Sequence, residues 1–278
     1  MTAQFGNRAA NNAPVVALHS SASGKSQWNA LAAQLNDRYK LIAFDLPGYG
    51  TKWERSAEHA GMDAVTIHVI KEIEAIGRPV HLIGHSFGGA AAIRIALKRP
   101  DLIKSLILYE PASFHVLNSE GPAGRQLLSK IQKVEKTLNA ALSVGRNDLG
   151  MKEFIEFWNG DNAWDKMPER LRDRLASLAT LVSSDFNCAY AEDWMLDDLE
   201  RLTMPTLMLM GMESPAVAQR TSVLIANHIP TAELAMLPEL GHMAPVNAPE
   251  WVNPRIHQYI ARVEKSAAPV SWPNRIAA

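Results

Sequence analysis

The chain of 278 residues holds a single cysteine, Cys188, so no internal disulfide can staple the fold and a reducing compartment is expected. It has no excess of either charge. With 28 Lys and Arg against 29 Asp and Glu, the formal net charge is -1. That balance gives no reason to expect nucleic acid or an anionic membrane as partner. No apolar stretch reaches the roughly 18 residues that a membrane span needs. The first 14 residues are polar and rich in Asn, Ala and Gly, without the apolar centre of a signal peptide. These absences lead us to expect a soluble, cytoplasmic protein. No cluster of His and carboxylates has metal-ligand spacing, so no metal is expected. Gly24-Lys25-Ser26 has the look of the end of a phosphate-binding loop, but that loop needs Gly where this chain has His19.

Short apolar runs recur at Val15–Leu18, Leu41–Phe44, Val80–Ile83, Leu106–Tyr109, Thr206–Met210 and Leu234–Leu237. Runs this short, with little polar alternation, suit strands of a parallel sheet buried on both faces. Helical patterns lie between them at Gln27–Leu35, Met62–Ile76, Gly88–Lys98, Ala216–His228 and Pro249–Val263. The alternation predicts an α/β architecture, a mostly parallel sheet flanked by helices. It breaks once, between Gly121 and Leu202, where only helical stretches appear: Ala123–Ser143, Met151–Trp158, Pro168–Ser183 and Ala189–Leu199. We read residues 1–120 and 203–278 as the core and 121–202 as an inserted helical cap. Ligands of open α/β sheets bind at the C-terminal edge of the strands. A cap placed there would shape a pocket, and Phe154, Phe157, Trp158, Trp164 and Trp194 are its candidate lining.

The strongest local signal is Gly84-His85-Ser86-Phe87-Gly88, which leaves the strand pattern Val80–Ile83 and opens the helical run Gly88–Lys98. In a sharp strand-to-helix turn the serine stands above the sheet, and flanking glycines avoid a clash at the crossing. The amide of Phe87 then points into the pocket at a helix N-terminus and is a candidate half of an oxyanion hole.

With that elbow, Leu18-His19, Asp45-Leu46-Pro47-Gly48-Tyr49-Gly50 and Gly241-His242-Met243 follow in an order that resembles the α/β-hydrolase superfamily over nearly the whole chain. The resemblance implies a capped serine hydrolase with Ser86 as nucleophile and His242 as general base. It implies a second oxyanion donor in the loop after the first apolar run. There the usual His-Gly is replaced by His19-Ser20, and by position the amide of Ser21 is the candidate. His19, His81, His85 and His115 also lie near strand ends or turns, where a histidine is more often structural. Asp45 reads as a turn residue. Because only 14 residues precede Val15, the antiparallel hairpin that often opens this fold is expected to be shortened or missing.

The acid is less plainly marked. Where much of the family carries Gly-x-x-Asp after the first strand beyond the cap, this chain reads Gly211-Met212-Glu213-Ser214. Glu213 is one candidate. Glu110 is preferred, because it directly follows the run Leu106–Tyr109 and is hard to justify there as packing. The expected activity is carboxylic ester hydrolysis through an acyl-enzyme on a small-molecule ester, with no cofactor. The alternatives are hydrolysis of a carbon–carbon bond in a vinylogous diketone, and ligand binding without catalysis on the same fold. Nothing in the sequence indicates the oligomeric state.

Overall fold

The computed structural model describes residues 3–5, 12–36, 38–50, 52–55 and 61–267. The Ala- and Pro-rich tail beyond 267, and most of the polar N-terminal segment, lie outside the described residues. Among the described residues seven strands form one sheet: β1 (Ala3–Phe5), β2 (Val15–Leu18), β3 (Leu41–Phe44), β4 (Val80–His85), β5 (Ile103–Tyr109), β6 (Thr206–Gly211) and β7 (Ala232–Leu237). Their order across the sheet is β1-β3-β2-β4-β5-β6-β7. All pairings are parallel except β1 with β3. Among the described residues before Val15, the antiparallel element is the three-residue strand β1.

Side chains of a strand alternate between the two faces. In β2, Val16 and Leu18 join one apolar layer while Val15 and Ala17 join the other. The first layer is covered by α2 (Asp63–Ile76), α3 (Phe87–Lys98) and α8 (Ala216–His228). The second is covered by α1 (Asn29–Leu35) and α10 (Pro249–Ala267). Between these cores β2 to β6 are buried on both faces, apart from Lys104 near the start of β5. The strand β7 departs from that expectation. It is an edge strand with a single neighbour, and it leaves Leu234 and Met236 exposed.

Between β5 and β6 the chain forms no strand; its helices are α4 (Gly121–Ser143), α5 (Asn147–Asn159), α6 (Glu169–Ser177) and α7 (Ala179–Tyr190), followed by a 3-10 turn at Leu196–Arg201. Two boundaries differ from the sequence reading. The stretch Pro168–Ser183 is broken at Leu178, which separates α6 from α7. Ala189–Leu199 is mostly loop and 3-10 turn rather than helix. The apolar spacing continues across Leu178 because both helices bury residues on the same side, so periodicity alone does not mark the break.

Register aligns the strand ends. Leu18 lies beside Gly84, His85 beside Tyr109, and Gly211 beside Leu237. The residues that follow β2, β4, β5 and β7 therefore leave the sheet at one edge.

Candidate active site

Ser86 sits between β4 and α3 with φ of 54°, a conformation that L-residues rarely adopt. The turn is held on both sides: the Ser86 amide donates to the Tyr109 carbonyl at 3.0 Å, and the Ser86 carbonyl accepts from Ala112 at 2.9 Å. The flanking glycines are steric requirements. A Cβ at Gly84 would stand 2.4 Å from the Gly88 carbonyl oxygen, and one at Gly88 would stand 2.4 Å from that of His19. Phe87 is the first residue of α3, where an amide has no partner within its helix.

His242 follows β7 in a loop fixed through its backbone. The Tyr109 hydroxyl donates to the Gly241 carbonyl at 2.8 Å, and His85 Nε2–H donates to the His242 carbonyl at 2.9 Å. The Glu213 amide donates to the Leu240 carbonyl at 2.9 Å. So anchored, the imidazole faces Ser86: its Nε2 lies 3.0 Å from Ser86 Oγ. Its Nδ1 lies 2.7 Å from Glu110 Oε2. The second carboxylate oxygen of Glu110 accepts the Gly211 amide at 2.7 Å. Glu110 is fully buried and has φ of 42°, which turns its side chain from the end of β5 toward His242. Both oxygens are satisfied, as a buried carboxylate requires. The structure thus brings Ser86, His242 and Glu110 into one hydrogen-bonded chain. Glu213 is not part of it, since its side chain is exposed on the turn after β6.

A serine on a strained elbow after the middle strand, followed in the chain by an acid after the next strand and a histidine after the last, defines a recognisable order. The model of the alpha/beta hydrolase family matches residues 15–255. The chain belongs to the alpha/beta hydrolase family. Among curated relatives, a pimeloyl-[acyl-carrier protein] methyl ester esterase of Nitrosomonas europaea is 24% identical over 247 residues, spanning 86% of this chain and 92% of the relative. Lipase 1 of Psychrobacter immobilis is 26% identical over 84% of this chain and 73% of its own length. Among solved structures, a thermophilic esterase from Thermogutta terrifontis superimposes with a TM-score of 0.72 at 20% identity, covering 95% of this chain and 93% of the other.

In this hydrolase the loop after β2 carries Ser20 where a glycine was the family expectation. The strained residue there is Ala22, with φ of 58°, and Ser20 shows no positive φ, so its side chain is tolerated. The Ser20 amide and hydroxyl both donate to Gln27 Oε1, and Gln27 Nε2 contacts His85 Nδ1 at 3.1 Å. A continuous polar chain thus joins the loop carrying Ser21 to the loop carrying His242. The Ser21 hydroxyl donates to Asp185 Oδ2 at 2.5 Å. The hydroxyls of Ser20 and Ser21 are thereby engaged within the protein.

Asp185 was not singled out from sequence. It is buried on α7, accepts from Ser21 and Tyr49, and pairs with Arg55. Tyr49 in turn accepts the Ala22 amide at 3.0 Å. Burial raises the carboxyl pKa of Asp185, opposed by the Arg55 charge and the two hydroxyls. One signal was available. Val182, Asp185, Phe186 and Ala189 share a helical face, so an acid stands on an otherwise apolar stripe.

The competing histidines hold structure. His19 donates from Nδ1 to the Ser20 carbonyl and accepts the Leu46 amide at Nε2, and burial lowers its pKa to about 4. His81 lies between Ser105 and Glu264, near the N-terminal ends of β4 and β5. His85 is kept neutral, its pKa well below the ordinary value, by burial first and then by His242 beside it. His115 packs edge-on to Trp194, ring centroids 4.4 Å apart. Asp45 accepts the Lys25 amide and pairs with its ammonium group, a turn-fixing role.

Two cavities meet at Ser86. One is lined by Phe87, Ala112, Phe114, Val182, Asp185, Phe186 and Ala189, and the other by Ile155, Met167, Leu171, Leu175, His242, Met243 and Val246. Ser21, Phe154 and Trp158 border both. The Trp158 indole stacks on His242, ring centroids 3.9 Å apart and planes inclined by 26°. Of the five candidate aromatics, at least half of which are expected from the sequence to be core of the helical stretch itself, Phe154 and Trp158 line these cavities. Phe157 packs against Trp158 instead, and Trp164 and Trp194 are buried elsewhere in the core. Sequence cannot distinguish these cases, because every one of the five lies on an apolar helical or loop position. Among the described residues no group of three or more His, Cys, Asp or Glu is placed to hold a metal ion, and no helix is long and apolar enough to cross a membrane.

Proposed function

We propose that the protein is a carboxylesterase acting on small-molecule esters through an acyl-enzyme, with Ser86, His242 and Glu110 as its triad and residues 121–202 as its cap. The single observation that carries this reading is the Ser86–His242–Glu110 chain of two hydrogen bonds at 3.0 and 2.7 Å. The esterase and lipase names of its relatives favour ester substrates.

Ser86 Oγ attacks the ester carbonyl while His242 Nε2 takes its proton. The carbonyl oxygen becomes an oxyanion against the amides of Phe87 and Ser21, each donor worth about 2.7–4 kcal/mol in such sites. Glu110 holds the Nδ1–H tautomer and stabilises the imidazolium, and its other oxygen stays on the Gly211 amide. His242 then protonates the departing alcohol oxygen. Water enters, gives its proton to His242, and releases the acid from Ser86 by the reverse steps.

The test is covalent labelling with a fluorophosphonate beside turnover of p-nitrophenyl acetate. Wild type should label, and Ser86→Ala should not. The variant should lose about 10⁴- to 10⁶-fold in kcat while remaining folded. Near-normal turnover by Ser86→Ala would sink the reading.

A further inference from the structure

We propose that Gln27 is a positioning residue for the reaction: through Ser20 on one side and His85 on the other, it holds the loop of the oxyanion donor and the loop of the catalytic histidine in place relative to each other. The inference rests on the reading of Ser86, His242 and the Ser21 amide given above.

Gln27 lies in the 3-10 turn Lys25–Trp28, between β2 and α1. Its side chain lines neither cavity at Ser86, and nor does that of His85. Both can therefore act on a substrate only through other residues. The backbone groups at the two ends of this hydrogen-bonded chain decide every proton between them. The Ser20 amide can only donate, and it lies 3.1 Å from Gln27 Oε1, with the Ser20 hydroxyl on the same oxygen at 3.2 Å. The carboxamide oxygen is thus fixed on that side, and Gln27 Nε2 donates to His85 Nδ1 at 3.1 Å. Nδ1 is then the unprotonated nitrogen, and the proton of the neutral ring sits on Nε2. At the far end the His242 carbonyl can only accept, and it takes that proton at 2.9 Å. The chain runs from amide to carbonyl without a mismatch.

Each end is close to a reacting group. Ser20 precedes Ser21, and the His242 carbonyl belongs to the residue whose ring meets Ser86. The His85 ring is buried edge-on to Tyr109, centroids 5.5 Å apart, and the Tyr109 hydroxyl holds the neighbouring Gly241 carbonyl at 2.8 Å. Burial keeps His85 neutral, with His242 and His19 acting in the same direction. Neutrality matters here, because the His85 and His242 rings lie 5.1 Å apart and His242 becomes cationic in the transition state. A carboxamide supplies an acceptor for Ser20 and a donor for His85 with no charge, which a carboxylate cannot do.

The test compares Gln27→Glu with Gln27→Met, both close to glutamine in size. Gln27→Glu keeps the acceptor for Ser20 but loses the donor to His85. Either His85 then takes up a proton beside His242, or its one proton moves to Nδ1 and the His242 carbonyl loses its donor. Turnover of p-nitrophenyl acetate at matched thermal midpoints should show kcat lowered at least about tenfold in both variants, with KM within about twofold. The loss should stay below the roughly 10²–10³ of removing an oxyanion donor outright, since the donor is loosened and not removed. His85→Leu should also lose about tenfold in kcat, and His85→Gln, whose terminal amide reaches about as far as Nε2, should recover most of that loss. Full activity of Gln27→Glu would mean that the residue only braces Ser20 and would overturn the inference, as would a raised KM with kcat unchanged. Should the Gln27 variants fail to fold, the His85 pair decides: equal activity of His85→Leu and His85→Gln overturns the inference. Wild type that resists fluorophosphonate would overturn the reading of Ser86 instead, so the two failures are distinguishable.

Discussion

The carboxylate of Asp185, on α7, accepts the hydroxyl of Ser21, in the loop after β2, at 2.5 Å across 164 residues of chain. The same oxygen takes the hydroxyl of Tyr49, whose own oxygen accepts the Ala22 amide. One acid on α7 therefore ties down the loop that carries Ser21, the second oxyanion donor we propose. Ser21→Ala keeps that amide but cuts its tie. The expected result is a kcat lower by about tenfold with KM little changed, since the full loss of an oxyanion donor costs about 10²–10³. In a double-mutant cycle on kcat with Asp185→Asn the two changes should be coupled by about 1 kcal/mol, no more than the roughly 1.4 kcal/mol to which a tenfold loss corresponds. Additive effects would show that the bond does not position the loop.

The identity of the acid is open to a paired comparison. Glu110→Gln should lower kcat by about 10⁴-fold, because the amide can present the wrong group to His242 Nδ1. Glu213, exposed on its turn, should tolerate the same change to within about threefold. Steady-state kinetics at matched thermal midpoints checks both. The opposite pattern would assign the acid to Glu213.

The elbow glycines should resist any side chain. Gly88→Ala places a Cβ against the backbone oxygens of His19 and Leu18, at 2.4 and 2.5 Å, which no rotamer change relieves. The expected cost is above about 3 kcal/mol in chemical denaturation, with loss of fluorophosphonate labelling. A variant of wild-type stability would mean that the crossing of β2 and α3 can open.

Acid should destabilise the fold before the carboxylates titrate. Burial lowers the pKa of His19 and of His115 to about 4, and holds those of His81 and His85 below the ordinary value. An unfolded histidine titrates near about 6.5. Between about 6.5 and 4 the unfolded chain binds more protons than the native one, so stability is full above that window and falls as the pH drops through it. Glu192 and Asp185 oppose the trend: burial raises the Glu192 pKa from 4.5 to about 7 and raises that of Asp185, so both favour the native state on acidification, against the four histidines, which favour the unfolded one. Thermal unfolding from pH 7.5 to 4.5 at constant ionic strength should show a falling midpoint. A flat profile would mean that these histidines are solvated.

Much of the fold was legible because it depends on neighbours a few residues apart. The helix α8 has the bounds Ala216–His228 that its apolar spacing predicts. The strands β2 and β3 coincide with their apolar runs, and β4 runs two residues beyond its own. Less legible were features set by what lies alongside. The exposure of Leu234 and Met236 follows from β7 having one neighbour, which nothing inside the strand encodes. The break at Leu178 separates α6 from α7, yet Leu175, Ala179 and Val182 are buried at helical spacing on either side of it, so the spacing runs through it.

At the site, the sequence by itself determined which chemistry-bearing residues stand at strand ends: Ser86 in its glycine elbow, Glu110 after β5, His242 after a Gly in the last loop. Local pattern suffices there, because glycine, proline and a charged residue after an apolar run restrict the backbone within a few residues. Tertiary structure alone decided the distances among them, the exposure of Glu213, the tie from Asp185 to Ser21, and the cavities beside Ser86 that Phe154 and Trp158 line. These depend on strand register and on helix packing between segments up to 164 residues apart. A hydrogen bond acts over about 3 Å and a cavity wall over one side chain, so neither exists until the sheet and the helical insertion have packed.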